Sequence, residues 1–361
     1  MKECDPQWAK SWFSPILLKS SVYKLDKSQA LIKLDQNEAS FDWPFELKDE
    51  ILAELKEIPW NLYPRPFDED LYQALADSLG VSQKNILCGD GSNYMISTLL
   101  DAFTQTDTPV IYPEPSFPLF REFLTLHEKQ SIAWPLDANF GFDLTAFPKR
   151  DKFVAILDLP NNPTGTALSL DDLKALLTQH PHGLFIIDEA YCGFCRFDYQ
   201  SLLKDHSNMI LLRTFSKAYA AAGLRFGYAV GPEALIQEVK KLLHPYNLNI
   251  FTTCAIKNLC SNPKFLRFFQ KQNKETVAER ERFFGELKKI TGLTTYPSES
   301  NFLLVKASDD ELFQSFKDRI EHAQIQVRDV SRGPRLERCL RISVGSREDN
   351  TRCLACFKIF R

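Results

Sequence analysis

The sequence predicts an α/β protein: a large domain with a mostly parallel sheet flanked by helices, joined to a smaller α+β domain. Three observations carry this. Between about residues 71 and 230, short, near-continuous apolar runs alternate with segments of helical periodicity. Strands that are apolar on both faces and separated by helices belong to a parallel sheet covered on both sides. After about residue 247 the text changes to a long charged helical stretch and three separate apolar runs, the pattern of a smaller α+β unit. Finally, 361 residues are enough for roughly two domains. The expected division is 46–250 for the large domain, with 1–45 and 251–361 forming the small one.

In chain order, residues 85–89 read as a strand and 95–103 as a helix. A strand at 109–112 and a helix at 119–126 follow, then a strand at 153–158, a helix at 171–178 and a strand at 184–188. Residues 209–213 and 225–230 are further strands. In the second unit, 263–289 reads as a long helix, and 301–305, 325–330 and 339–344 as strands. Ligands of such open α/β sheets sit at the carboxyl ends of the strands. The residues that close each strand are therefore the first candidates for chemistry.

One of these stands out. Lys217 follows an apolar run that ends in Thr214 and Ser216, and precedes an Ala-rich turn and Arg225. Most lysines are solvated. A lysine that loses solvation has a lowered pKa and becomes a usable nucleophile. Hydroxyls and a guanidinium beside it suit a phosphate. An amine nucleophile next to a phosphate site suggests pyridoxal phosphate (PLP) held as a Schiff base. A surface charge at a strand end is the plainer alternative for the lysine alone.

Other strand ends add to it. Asp188 closes the run Phe185-Ile186-Ile187, and a carboxylate there is costly unless it meets a cation. A protonated pyridine nitrogen is such a cation, and Tyr191 nearby could meet the ring's 3-oxygen. On its own this segment could equally be a helix N-cap. Asp158-Leu159-Pro160-Asn161-Asn162-Pro163-Thr164-Gly165 is a tight turn that delivers amide side chains to a strand end. Gly89-Asp90-Gly91-Ser92-Asn93 joins a strand to a helix whose free N–H groups attract phosphate. It is not the Gly-x-Gly-x-x-Gly of a dinucleotide fold, because Tyr94 stands in the third place. Phe117, between prolines in Tyr112-Pro113-Glu114-Pro115-Ser116-Phe117-Pro118, could stack on a flat ring or simply be core.

Together and in this order, these motifs resemble the class I/II aminotransferases of PLP fold type I, over nearly the whole chain. Within them the chain is most similar to the histidinol-phosphate aminotransferases. Asp35-Gln36-Asn37-Glu38, Tyr63-Pro64-Arg65-Pro66, Gly223-Leu224-Arg225, Ser300-Asn301-Phe302 and Leu340-Arg341-Ile342-Ser343 extend the likeness. The resemblance implies roles. Lys217 would carry the cofactor, Asp188 would pair with the pyridine nitrogen, and Asn162 and Tyr191 would meet the 3-oxygen. Phe117 would stack on the ring. Gly91, Ser92, Thr214, Ser216 and Arg225 would hold the cofactor phosphate. Tyr63 would reach the partner's cofactor in a homodimer. Asn37 and Arg341 would bind substrate, and Arg328 would bind a substrate phosphate. The reaction implied is ping-pong transfer of an amino group between histidinol phosphate, or a similar small donor, and 2-oxoglutarate. Other amino-acid aminotransferases and threonine-phosphate decarboxylase share the cofactor residues, so they remain open. Two departures are visible: Ala39-Ser40-Phe41 follows Glu38 where the family continues with Asn-Pro, and Phe117 stands where Tyr is common.

The rest of the composition excludes other classes. A net charge of −3 offers no basic field for nucleic acid or anionic membrane. No apolar run approaches the length of a membrane span, and the N-terminus lacks a signal-peptide core. The nine cysteines are an odd number and fit reduced thiols in a cytoplasm. Cys192/Cys195 and Cys353/Cys356 could together make a four-thiolate zinc site. An apolar helix face for the second pair is the stronger reading, so no metal is expected.

Overall fold

The computed structural model describes residues 5–19, 30–104 and 107–358. Twelve strands form two sheets. In chain order they are β1 (Ile32–Leu34), β2 (Ile86–Gly89), β3 (Val110–Glu114), β4 (Ser131–Pro135), β5 (Phe153–Asp158) and β6 (Gly183–Asp188), then β7 (Met209–Thr214), β8 (Gly227–Val230), β9 (Leu293–Thr295), β10 (Phe302–Ala307), β11 (Ile325–Asp329) and β12 (Cys339–Ser343). The large sheet has the order β2-β8-β7-β6-β5-β3-β4. Its pairings are parallel from β4 through β7, and β8 runs antiparallel to both of its neighbours. The mostly parallel sheet expected from the apolar runs is therefore present.

Side-chain parity explains how the site is built. Val154, Ile156, Ile186, Ile210 and Leu212 lie in one core cluster, with Met95 and Leu99 of the helix Gly91–Phe103. Ala155, Leu157, Phe185, Ile187 and Leu211 lie in another, with Leu173 and Leu176 of the helix Leu170–Gln179. Successive residues of a strand point to opposite faces. Even-numbered side chains of β5, β6 and β7 thus face the first cluster and odd-numbered ones the second. Asp158, Asp188 and Thr214 close their strands on the even face. Burying each large apolar side chain contributes about 1.5–3 kcal/mol, so the two cores fix this parity firmly.

The small sheet has the order β1-β11-β12-β10-β9. Its core takes Leu303, Val305, Leu340 and Ile342, with Phe316, Ile320, Cys353 and Phe357 from two covering helices. By the same alternation Phe302, Arg341 and Ser343 point the other way, toward the large sheet. The helix Pro263–Leu287 serves both sheets. Phe265 and Phe269 pack in a core with Phe215 and Phe226, while Phe283 and Leu287 pack under the small sheet.

Some bounds differ from expectation. The helix after β2 begins at Gly91 rather than at residue 95. The strand expected from residue 225 begins at Gly227, because Arg225 adopts a left-handed backbone with φ 53°. Residues 1–45 were expected to pack with the small domain. Of these, β1 joins the small sheet beside β11, whereas Trp43 packs in the core with Phe269. Residues 1–4 and 20–29 lie outside the described residues. Among the described residues, no helix is long and apolar enough to cross a membrane.

Candidate active site

Asp158 and Asp188 are partners in the β5–β6 register, so their carboxyls lie side by side on the even face at the strands' carboxyl ends. Both are buried, at 3% and 4% exposure. Asp188 Oδ1 accepts the Ala190 N–H at 3.0 Å. No Lys or Arg among the described residues forms an ion pair with it. Burial therefore pushes its pKa up to about 7, against the effect of the Ala190 hydrogen bond. Burial likewise raises Asp158, to about 8, with the Asp188 charge adding to the rise.

Lys217 lies in the turn after β7, partly buried, and its Nζ donates to the Gln36 carbonyl at 2.7 Å. Burial lowers its pKa to about 8, and the Arg341 charge pushes in the same direction. It has a carbonyl for a partner, and no carboxylate pairs with it among the described residues. A weakly held amine of this kind is suited to act as nucleophile and base.

The segment Asp35–Asn37, just beyond β1, ties the two sheets together. The Asp35 carbonyl accepts from Arg341 Nη2, the Gln36 carbonyl from Lys217, and Asn37 Nδ2 donates to the Tyr191 hydroxyl at 2.9 Å. Asn37 also takes a left-handed backbone (φ 54°), with its N–H on Ser343 Oγ at 2.8 Å and its carbonyl on Asn301 Nδ2 at 3.0 Å. Asn tolerates this conformation better than most residues. Tyr191 stacks edge-on against Phe302, with centroids 5.1 Å apart, and burial pushes its pKa up to about 12.

Arg341, from the small sheet, donates from Nη1 to Asn162 Oδ1 at 2.7 Å. Its register partner across the β11–β12 pair is Arg328, so the two guanidinium groups share a face. Like charges directly opposite each other are unfavourable unless an anion joins them. Asn162 N donates to Asp158 Oδ2 at 2.8 Å, as does Phe117 N at 3.2 Å.

A third group lies at the start of the helix Gly91–Phe103. Its N-cap, Asp90, makes no side-chain cap bond. A Cβ on Gly91 would come within 2.5 Å of Arg225 Nη2, and one on Gly227 within 2.4 Å of the Ser92 N. At Gly227 the clash is with backbone, so only glycine lets β8 approach the helix start; at Gly91 it is with the Arg225 guanidinium, and the left-handed φ of 80° there also favours glycine. Gly227 pairs with Thr214, whose Oγ1 lies 3.0 Å from Ser216 Oγ and accepts the Ser216 N–H at 3.1 Å. Helix N–H groups, two hydroxyls and a guanidinium thus converge, a donor set that suits a phosphate.

Of the sequence-predicted residues, Tyr63 stands apart. It is 82% exposed and stacks on Tyr246 with centroids 4.8 Å apart. Sequence reasoning assigned no role to Asp158, Ser343, Asn301 or the carbonyls of Asp35 and Gln36. A backbone acceptor leaves no mark in a sequence. Asp158 did leave one, a carboxylate closing an apolar run. The cysteine pairs lie elsewhere: Cys353 and Cys356 pack in the small core, and Cys192 and Cys195 bracket a short 3₁₀ turn with thiol pKa values pushed up to about 11 and about 12 by burial.

Comparisons with known proteins agree with this geometry. The sequence model for aminotransferase class I and II matches residues 29–357. The histidinol-phosphate aminotransferase of Chlorobium luteolum is 34% identical over 352 residues, 94% of this chain and 95% of that one. Among solved structures, histidinol-phosphate aminotransferase from Sinorhizobium meliloti in complex with pyridoxal-5'-phosphate superposes with a TM-score of 0.82 at 24% identity, covering 96% of each chain. L-threonine-O-3-phosphate decarboxylase from Porphyromonas gingivalis does so with a TM-score of 0.79 at 22% identity, covering 90% of this chain and 98% of that one. The buried strand-end carboxylate, the turn lysine and the helix-end donor set lie within a match that spans nearly the whole sequence, and the chain belongs to the aminotransferase class I and II family.

Proposed function

We propose that the chain is a PLP-dependent aminotransferase that moves an amino group between histidinol phosphate and 2-oxoglutarate by a ping-pong mechanism. The observation that carries the cofactor is Asp188. A buried carboxylate with no protein cation has a vacancy for one, and a protonated pyridine nitrogen fills it. The cradle of Gly91, Ser92, Thr214, Ser216 and Arg225 fits the cofactor phosphate, and Phe117 offers the stacking face. When bound, PLP supplies an electron sink for the carbon that bears the amino group.

The chain's own residues do the rest. Lys217 Nζ, lowered to about 8, gives up its proton near neutrality more readily than an ordinary lysine. With the cofactor bound, Lys217 would be the base that takes the proton from the amino-bearing carbon of the substrate. Asp188 holds the ring nitrogen protonated. Tyr191 and Asn162 would donate to the ring's 3-oxygen, and Asn37, on the Tyr191 hydroxyl, orients Tyr191. Arg341 and Arg328, side by side, receive the anionic end of each substrate in turn: the phosphate of histidinol phosphate and a carboxylate of 2-oxoglutarate. The name shared by the Chlorobium luteolum relative supports histidinol phosphate as the donor.

The enzyme is a homodimer in this reading, with Tyr63 reaching the partner's cofactor phosphate. Its exposure supports this, as does the neighbouring exposed pair Trp60 and Phe251, whose rings lie 5.1 Å apart. The test is spectral. Purified protein with PLP should show a visible protein-bound band that is lost in Lys217→Ala and bleached by histidinol phosphate, then restored by 2-oxoglutarate. No band with added PLP sinks the cofactor. A band bleached only by other amino donors sinks the substrate.

A further inference from the structure

We propose that Asp158 is a positioning residue for the cofactor pocket, locking the stacking ring of Phe117 and the amide of Asn162 into one rigid piece. The inference rests on the PLP reading above. Its carboxylate receives three donors. Oδ2 accepts the backbone N–H of Phe117 at 3.2 Å and of Asn162 at 2.8 Å, and Oδ1 accepts Asn161 Nδ2 at 2.8 Å. Asn161 Nδ2 also reaches the Pro115 carbonyl at 3.2 Å, and its Oδ1 takes the Thr164 hydroxyl at 2.7 Å.

These bonds join two loops that leave different strands. The loop after β3 carries Phe117 and the turn after β5 carries Asn162. Among the described residues no backbone–backbone hydrogen bond joins them; the Asp158 carboxyl does, with Asn161 Nδ2 on the Pro115 carbonyl beside it. Three donors on its two oxygens fix the orientation of the carboxyl group. Burying it beside Asp188, with no cation of its own, is costly. An apolar residue would fill the strand end as well but would leave two backbone N–H groups unpaired.

The consequence is directional. Asn162 Oδ1 is taken by Arg341, so its Nδ2 would be the donor left for the ring's 3-oxygen. Asp158 fixes the backbone N–H of that same residue, so the donor and the stacking face move together or not at all. Asp158 acts through these two neighbours and touches neither cofactor nor substrate.

The test uses the PLP-loaded enzyme and the variants Asp158→Asn and Asp158→Ala. PLP affinity, the pH midpoint of the visible band and the thermal midpoint are read together. Asp158→Ala should weaken PLP binding ~10-fold, the scale of leaving buried backbone N–H groups of the pocket unpaired. It should also raise the band's pH midpoint, because a 3-oxygen without the Asn162 donor holds its neighbouring proton more tightly. Asp158→Asn keeps one acceptor oxygen and the side-chain volume, so it carries the test if the alanine variant does not fold, with smaller shifts in the same directions. A folded variant with wild-type PLP affinity and midpoint overturns the proposal. So does a lower thermal midpoint with the other two unchanged, which is the mark of a merely structural residue. A wild-type protein without a visible band overturns the PLP reading itself, a distinct failure.

Discussion

Asp188 and Glu189 are adjacent, acidic and buried, yet they live on opposite faces of one sheet. On the odd face Glu189 Oε2 meets Arg213 Nε at 2.7 Å, and Arg213 Nη1 continues to Gln200 at 2.7 Å. That carboxylate is paired within the chain. On the even face Asp188 has one backbone N–H and, among the described residues, no cation. One buried acid has a cation of the chain on one of its oxygens, and its neighbour has none among the described residues, as the proposed cofactor role of Asp188 requires. The contrast separates an acid that holds the fold from an acid that awaits a ligand, and substitution can break it in either direction.

The largest effect should come from the even face. Asp188→Asn leaves the shape and removes the charge that, in the proposed function, keeps the ring nitrogen protonated. Turnover should fall by ~10²–10³, the scale for losing one preorganised electrostatic group, while the thermal midpoint of the cofactor-free chain stays level or rises. Steady-state kinetics and a melting curve decide it; near-normal turnover would remove Asp188 from the chemistry. Arg213→Met should do the reverse. It strands Glu189, whose side chain is 1% exposed, at a cost of about 3–5 kcal/mol in stability. The fraction that remains folded should turn over at close to the normal rate. A loss of turnover without a loss of stability would make the two faces equivalent and end the comparison.

This comparison was half legible in the sequence. An aspartate closing an apolar run, and a lysine after another, stand out because strands of a covered parallel sheet are apolar almost throughout. Parity and register came only with the folded sheet. The substrate side was harder. Asn37 and Ser343 meet across 306 positions of sequence, and the carbonyls of Asp35 and Gln36 carry no side-chain signal. Arg225 reads as the first residue of a strand because nothing in an arginine announces a left-handed backbone. Asp158 was visible as a residue but not as a hub, since its three donors come from two loops whose approach only the folded sheet defines.

A smaller effect concerns the small sheet, where Arg328 and Arg341 are register partners on one face. Arg328→Ala should raise KM for histidinol phosphate by ~10-fold, the scale of one lost charge-assisted contact, with little change in kcat. For an amino donor without a phosphate, KM should hardly move. Equal rises for both donors would take Arg328 out of phosphate recognition.

The smallest effect is a slope. Asp188 titrates near 3.8 in the unfolded chain and at about 7 in the folded one. Between those values the folded chain binds more protons than the unfolded chain, so stability falls as pH rises. The contribution is fully present below 3.8 and is lost as pH passes through about 7. Asp158, raised to about 8, adds to the same slope, and the two adjacent groups titrate as a pair. Lys217 acts oppositely and higher: lowered from 10.5 to about 8, it makes stability rise with pH between those values. Melting curves of the protein stripped of PLP should therefore show a declining midpoint toward neutrality, shallower in Asp188→Asn. PLP, by supplying the missing cation, should flatten the decline in the loaded enzyme. A slope untouched by either Asp188→Asn or PLP would mean that some other group bears the charge, and that the even face is as self-sufficient as the odd one.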